Sequence, residues 1–269
     1  MKPKATKPIV LMLALSAVSV CVPGALAEVI IQPMDAWTAA SQFVSITNTI
    51  DQSALVELGS STTSVYTSGV TDFATYVAAT GHANANPGSW KSDTNFPKLV
   101  TFDLGEEFVI NGFVNWQAFA PSTMNQYELY TDTDSDFNNG GTTYLGTFNT
   151  PYIYQAAINV PGHTVSFPAT TTRFVHLNII SYYGGVDLTE GEFAFSAVPL
   201  NITGADHTGT TFAVTAEGLK SNGNYDLLRG SSPDAIMYVV DSILNPAAVE
   251  TFYDITAPSG DAFYVVEEQ

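Results

Sequence analysis

The sequence predicts an all-β protein, a β-sandwich or jelly roll, on three observations. Residues 98–105 alternate, with Val100, Phe102 and Leu104 on one face and Thr101 and Asp103 on the other, and residues 173–179 repeat the pattern with Val175, Leu177 and Ile179. A two-residue period filled with β-branched and aromatic side chains marks a half-buried strand. Strand-length apolar segments recur along the chain at spacings of about 8 to 12 residues, with Gly, Asn, Pro and Asp between them. Amphipathic helical periodicity never exceeds about two or three turns; short helical turns are expected only around 36–43 and 72–79.

Taken from the N-terminus, Lys2, Lys4 and Lys7 precede an apolar run over 9–22, followed by Ala25, Leu26 and Ala27 in the small-x-small pattern of an export leader. Residues 1–27 are therefore expected to be removed near Ala27, leaving a secreted, extracellular or periplasmic chain that starts at Glu28. The run is shorter than the roughly 20 apolar residues that a membrane crossing needs, and no later segment approaches that length, so membrane insertion is not expected. Cys21 raises a lipoprotein alternative, but Val20 stands where that signal needs a small residue. Cys21 is also the only cysteine, so residues 28–269 can use neither disulfides nor thiolate chemistry.

All 26 acidic residues lie beyond the leader and face only five basic ones there, a net charge of −21. Such a surface lacks the basic stripe that phosphate recognition requires, which argues against nucleic acid, heparin-like glycans and anionic lipid as partners. About 240 residues after the leader exceed one ordinary sandwich, so two domains are expected, 28–198 and 199–269, with the boundary at Val198, Pro199 and Leu200. In the tail, 211–216, 225–229, 236–240 and 262–266 read as four strands of a small antiparallel sandwich. No internal repeat at a fixed period is present.

Distributed motifs in the larger domain carry a family resemblance. They are Asn48 through Asp51, Trp90 with Ser92, Val100 through Gly105, Tyr127 through Thr131 followed by Asp132 and Asp134, Arg173 through Asn178, Gly184 with Gly185, and Gly191 with Glu192 and Phe193. In this order they resemble the discoidin domain, also called the coagulation factor 5/8 type C domain, of the galactose-binding-like jelly rolls. The resemblance spans 39–195 and implies a carbohydrate-binding or adhesive module. Three departures stand out: Gln52 replaces the glycine that usually follows the first aspartate, a longer segment separates Asp51 from Trp90, and the flanking cysteine pair is missing. The tail resembles, less specifically, the small fibronectin-like or immunoglobulin-like modules of exported bacterial proteins.

The resemblance also implies a structural Ca²⁺ between the early aspartate turn and a late glutamate. Asp51 and Glu192 match by position, with Asp72, Ser68 and Thr71 as further oxygen donors; Ca²⁺ takes six to eight hard oxygens. A second acidic stretch, Asp132, Asp134 and Asp136, fails as a calcium loop: Phe137 stands where the sharp turn needs glycine, and Thr143 where a bidentate glutamate belongs. It reads instead as an Asp/Asn/Gly hairpin turn.

Ligand candidates follow from the chemistry of sugars, whose apolar faces pack on aromatic rings while their hydroxyls seek polar neighbours. Tyr182 and Tyr183 lead, since they precede Gly184 and Gly185 at a strand end with no obvious core to fill. Trp90, His82 and Asn86 precede the 98–105 strand, and Tyr152 and Tyr154 lie in another connection. Trp90 reads either as packing or as contact, Trp116 as core, and Arg173 either as a ligand donor or as a partner of a nearby aspartate. His176 faces away from Val175 and Leu177. Motif-bound catalysis finds no support: no Gly-x-Ser-x-Gly elbow, no His-Glu-x-x-His pair and no phosphate-binding glycine loop occurs. The expectation is a secreted, non-catalytic protein recognising a glycan or cell-surface glycoconjugate. The alternatives are an adhesion protein that binds envelope or extracellular proteins, and a small hydrolase.

Overall fold

The computed structural model describes residues 9–11, 27–83, 88–118, 121–153, 159–231, 236–258 and 262–269. Asn86 and Tyr154 lie outside them. The described chain forms strands β1 (Ile9–Leu11), β2 (Val29–Ile31), β3 (Asp35–Thr38), β4 (Gln42–Val44), β5 (Leu55–Glu57), β6 (Thr80–Ala83), β7 (Trp90–Ser92), β8 (Lys98–Trp116), β9 (Met124–Asp132), β10 (Thr143–Asn149), β11 (Asn159–Tyr182), β12 (Leu188–Glu190) and β13 (Glu192–Ala197). After these come β14 (Asn201–Thr208), β15 (Thr211–Glu217), β16 (Asn224–Gly230), β17 (Ile236–Leu244), β18 (Val249–Asp254) and β19 (Phe263–Glu268), and the helix α1 (Phe73–Ala79) lies between β5 and β6. Two compact units result, Ala27–Ala197 and Val198–Gln269, the latter joined by β1.

The larger unit is a jelly-roll β-sandwich. Its main sheet runs β10-β9-β11-β8-β13-β2, with β3 on β8 and the β5–β6 hairpin on β11, and a smaller sheet runs β12-β7-β4. The apolar faces anticipated from alternation point inward: Val100, Phe102, Leu104, Val175, Leu177 and Ile179 share one core with Trp90, Phe113, Tyr127, Phe193 and Phe195. The Asp-Leu-Gly signature has a local cause. Asp103 accepts the Gly105 amide at 2.7 Å. Gly105 turns at φ +89°, a left-handed conformation that side-chain-bearing residues rarely adopt. In β11 the register with β8 slips between Ser166 and Thr170, around Pro168, which has no N–H to give the ladder.

Two elements differ from expectation. Residues 36–43 are not helical; Ala36 pairs with Phe102 along the β8 edge and is buried, so sheet pairing overrides a local helical reading. Helix α1 does form, capped by Asp72, whose Oδ1 accepts the Thr75 amide at 2.7 Å. The smaller unit carries two strands beyond the four expected, β14 and β18. It packs sheet β19-β16-β17 and sheet β14-β15-β18 around Phe212, Val214, Tyr225, Leu227, Phe252 and Tyr264.

Candidate functional site

Register brings the site together. Ile179 lies opposite Lys98 on β8 and Tyr127 on β9, and Tyr182 lies opposite Met124. The start of β8, the start of β9 and the end of β11 are therefore level at one end of the sandwich. Three connections meet there: residues 93–97, 150–153 and 183–187.

Two aromatic pairs arise from those connections. Phe96 and Tyr182 stack at 5.1 Å between centroids and 22° between planes, and Tyr152 meets Tyr183 edge-on at 5.0 Å. The first pair is held from below: Lys98 Nζ sits 5.3 Å from the Phe96 centroid and donates to Asp93. Asp93 also accepts the Asn95 amide at 3.2 Å and Asn95 Nδ2 at 3.0 Å. That set folds the loop before any ligand arrives, and the Lys98 bond keeps the Asp93 carboxyl below its usual range. Beside it opens a pocket of about 340 Å³ lined by Ala39, Ala40, Ser41, Asp93, Asn95, Pro97, Lys98 and Leu99. Tyr182 donates to the Gly185 carbonyl at 3.1 Å, and Tyr183 donates to the Thr150 carbonyl. Gly185 (φ +105°) lies so near Ser122 that a Cβ would stand 2.5 Å from its hydroxyl.

Beneath these loops lies Glu190, fully buried. It accepts the Met124 amide, the Thr123 hydroxyl at 3.1 Å to each oxygen, and Asn115 Nδ2 at 3.3 Å. Burial pushes its carboxyl up to about 8, against the pull of those three donors. Glu190 thereby pins the start of β9 under the aromatic pairs.

The structure brings Tyr182 and Tyr183 to this end and places the other expected ligand residues elsewhere. Trp90 is fully buried in the sandwich core. His82 is 1% exposed, its ring between the carbonyls of Ala83 and Gly88 and against Gly191; burial lowers its pKa, which keeps it neutral. Trp90 thus takes the packing reading, and the burial of His82 corrects the expectation that its ring faces a ligand. Arg173 is engaged nine residues back along β11, bonded to both Asp103 oxygens at 2.9 and 2.8 Å. Nine residues of strand put it roughly 30 Å from Tyr182. Phe96, Asp93, Asn95 and Lys98 went unnoticed in the sequence, although an aromatic set among turn-forming residues before a strand was the available signal. Glu190 gave none.

The metal candidates divide as well. Glu192 is buried, and its Oε1 has no hydrogen-bond partner. Burial first, and then the charge of Asp51, raise its pKa, while the Gln52 and Ala54 amides oppose them. Two carboxylates side by side, one with a bare buried oxygen, suit a hard cation. Asp72 stands apart as the α1 cap, Ser68 Oγ accepts the Gln32 amide at 3.0 Å, and Thr71 Oγ1 accepts the Thr67 amide at 2.9 Å. Among the described residues no three His, Cys, Asp or Glu side chains converge on a metal position.

One buried set has the composition of a hydrolase triad. Thr101 Oγ1 is 2.9 Å from His176 Nδ1, whose Nε2 is 3.8 Å from Asp132 Oδ2, and Phe137 meets the imidazole edge-on at 5.3 Å. All three are closed off from solvent, so a substrate has no route to them. No helix among the described residues is long and apolar enough to cross a membrane.

No family model matches the chain, and no curated protein matches it either. Solved structures do return distant likenesses. One is the family 32 carbohydrate-binding module of Clostridium perfringens NanJ, solved with galactose, at 13% identity and TM-score 0.39 over 63% of this chain and 98% of that one. A second is chitosan-binding module 1 of a Paenibacillus chitosanase/glucanase, at 15% identity and TM-score 0.39 over 61% and 96%. A third is the fucolectin of striped bass (Morone saxatilis) serum, at 12% identity and TM-score 0.35 over 66% and 79%.

Proposed function

We propose that this protein binds carbohydrate, without catalysis, at the end of the jelly roll that carries Phe96, Tyr182, Tyr152 and Tyr183. The observation that supports this most is the Phe96–Tyr182 stack raised on a prefolded loop beside a mainly apolar pocket that Ser41, Asp93 and Asn95 also line. An aromatic face flanked by amide and carboxylate groups suits a pyranose, whose C–H face packs while its hydroxyls hydrogen-bond. The acidic surface favours neutral or amino sugars over sulfated ones. One such platform supports binding of about −4 to −6 kcal/mol, roughly millimolar to tens of micromolar.

In the same reading, residues 1–27 direct export and are removed, and the C-terminal unit serves as spacer or docking module. Asp51 and Glu192 would hold a Ca²⁺ ion, which would neutralise the paired carboxylates and stiffen the 48–54 turn. Affinity electrophoresis of residues 28–269 through neutral and galactose-type polysaccharides tests the proposal. Retardation on at least one glycan that free sugar reverses supports it; unretarded migration of folded protein on all of them rejects it. Partners that survive a wash with free sugar would favour the adhesive reading.

A further inference from the structure

The outer edge of β19 is covered by β1 of the same chain: Ile9 lies opposite Val266, Val10 opposite Val265 and Leu11 opposite Tyr264, antiparallel. β1 falls within the lysine-led apolar run that the sequence marks for removal. Its loss would leave β19 as an edge with unpaired N–H and C=O groups, carrying Phe263, Tyr264, Val265 and Val266 in a row. Such an edge is a template for another strand.

We infer that the partner of this edge in the exported protein is a second copy of the chain, paired β19 to β19 about a two-fold axis through Val265. The inference rests on the removal of residues 1–27 and is independent of the glycan site. Centred on Val265, an antiparallel pair sets Val265 opposite Val265 of the other copy, Val266 opposite Tyr264, and Glu267 opposite Phe263. No glutamate then faces a glutamate, whereas a register centred two residues further on would oppose Glu267 to itself, and like charges directly opposite are destabilising. The same three positions that β1 covers are those the second copy covers, with Val265 taking the place of Val10. An isologous pair of this kind closes on itself and does not propagate. It also places two copies of the larger unit in one assembly.

Sedimentation velocity on residues 28–269 tests the inference, and intact mass of the exported protein tests the cleavage separately. The expected result is twice the chain mass for wild type, single mass for V265E and for V265K, and recovery of the double mass when the two variants are mixed in equal amounts. A monomeric wild type, or a V265E that stays dimeric, overturns it. Should either charged variant fail to fold by circular dichroism, V265C decides. Residues 28–269 contain no other cysteine, and directly opposed Cα atoms about 4.5–5.5 Å apart fall within disulfide range. Folded V265C should therefore link into dimers on mild oxidation, and failure to link rejects the pairing.

Discussion

Gln52 and Tyr66 hold each other by two hydrogen bonds: the Tyr66 amide donates to Gln52 Oε1 at 2.7 Å, and Gln52 Nε2 donates to the Tyr66 carbonyl at 3.3 Å. Gln52 adopts φ +61°, a conformation that costs a β-carbon residue roughly 1–2 kcal/mol relative to glycine. Its side chain offsets that cost and also donates to Gln32 Oε1 at 2.7 Å. A glutamine at the position where the resemblance implies glycine is thus a substitution of means: backbone freedom is replaced by a buried carboxamide that fixes the turn next to Asp51.

Replacing Gln52 separates the two contributions. Q52A keeps the strain and leaves the Tyr66 amide unpaired, and is expected to cost about 2–4 kcal/mol. Q52G relieves the strain and should cost about 1 kcal/mol less than Q52A. Urea denaturation of both variants checks this. Equal loss in the two would show that the left-handed backbone carries no strain.

The Asp51–Glu192 pair predicts a response to calcium. Added Ca²⁺ should raise the melting temperature and EDTA lower it, by the stabilisation of about 2.7 kcal/mol expected at a hundredfold excess over Kd. E192Q should abolish the shift. Identical melts with Ca²⁺ and with chelator would remove the ion from the account.

Buried acids and histidines pull stability in opposite directions with pH. Glu190 has its folded pKa raised from 4.5 to about 8, so the fold prefers its protonated form. Its contribution is complete below 4.5 and is lost as pH rises through 8, by at most about 1.4 kcal/mol per unit. E190Q should flatten that limb. His82, His163 and His176 have pKa values lowered by burial, so their contribution is complete above the unfolded value of about 6.5 and declines as pH falls below it. Chemical denaturation across pH 4–9 should show both limbs.

Arg173 gives a negative control. Its bidentate partner is Asp103 on β8, nine residues of β11 away from Tyr182. R173K should leave glycan retardation unchanged while making stability less dependent on salt. A loss of binding in R173K would move the site to the wrong end of the sandwich.

Much of this architecture was legible in the sequence because alternation reports burial directly. Val100, Phe102 and Leu104, and Val175, Leu177 and Ile179, face the core as their period demands. The Asp-Leu-Gly signature and Arg173 proved to be one device, an aspartate shared between a glycine turn and a guanidinium. The site was harder to read. Tyr182 and Tyr183 were visible as rings before a glycine pair, although Tyr182 packs against the core, and Phe96 became their neighbour only through strand register across more than eighty residues. Trp90 and His82 have the composition of ligand contacts, yet they are buried, and burial of a single loop ring depends on packing that no local pattern encodes. β14 and β18 were missed because the polar residues in Asn201–Thr208 and Val249–Asp254 obscure their alternation.

The central claim, a glycan platform built on Phe96 and Tyr182, is tested most directly by Y182A. Titration calorimetry of wild type and variant with the sugar that best retards the wild type measures it. Loss of the ring should weaken binding about tenfold or more, with the fold and the melting temperature largely preserved because Tyr182 lies at the rim of the core. Unchanged affinity in a folded Y182A would contradict the account.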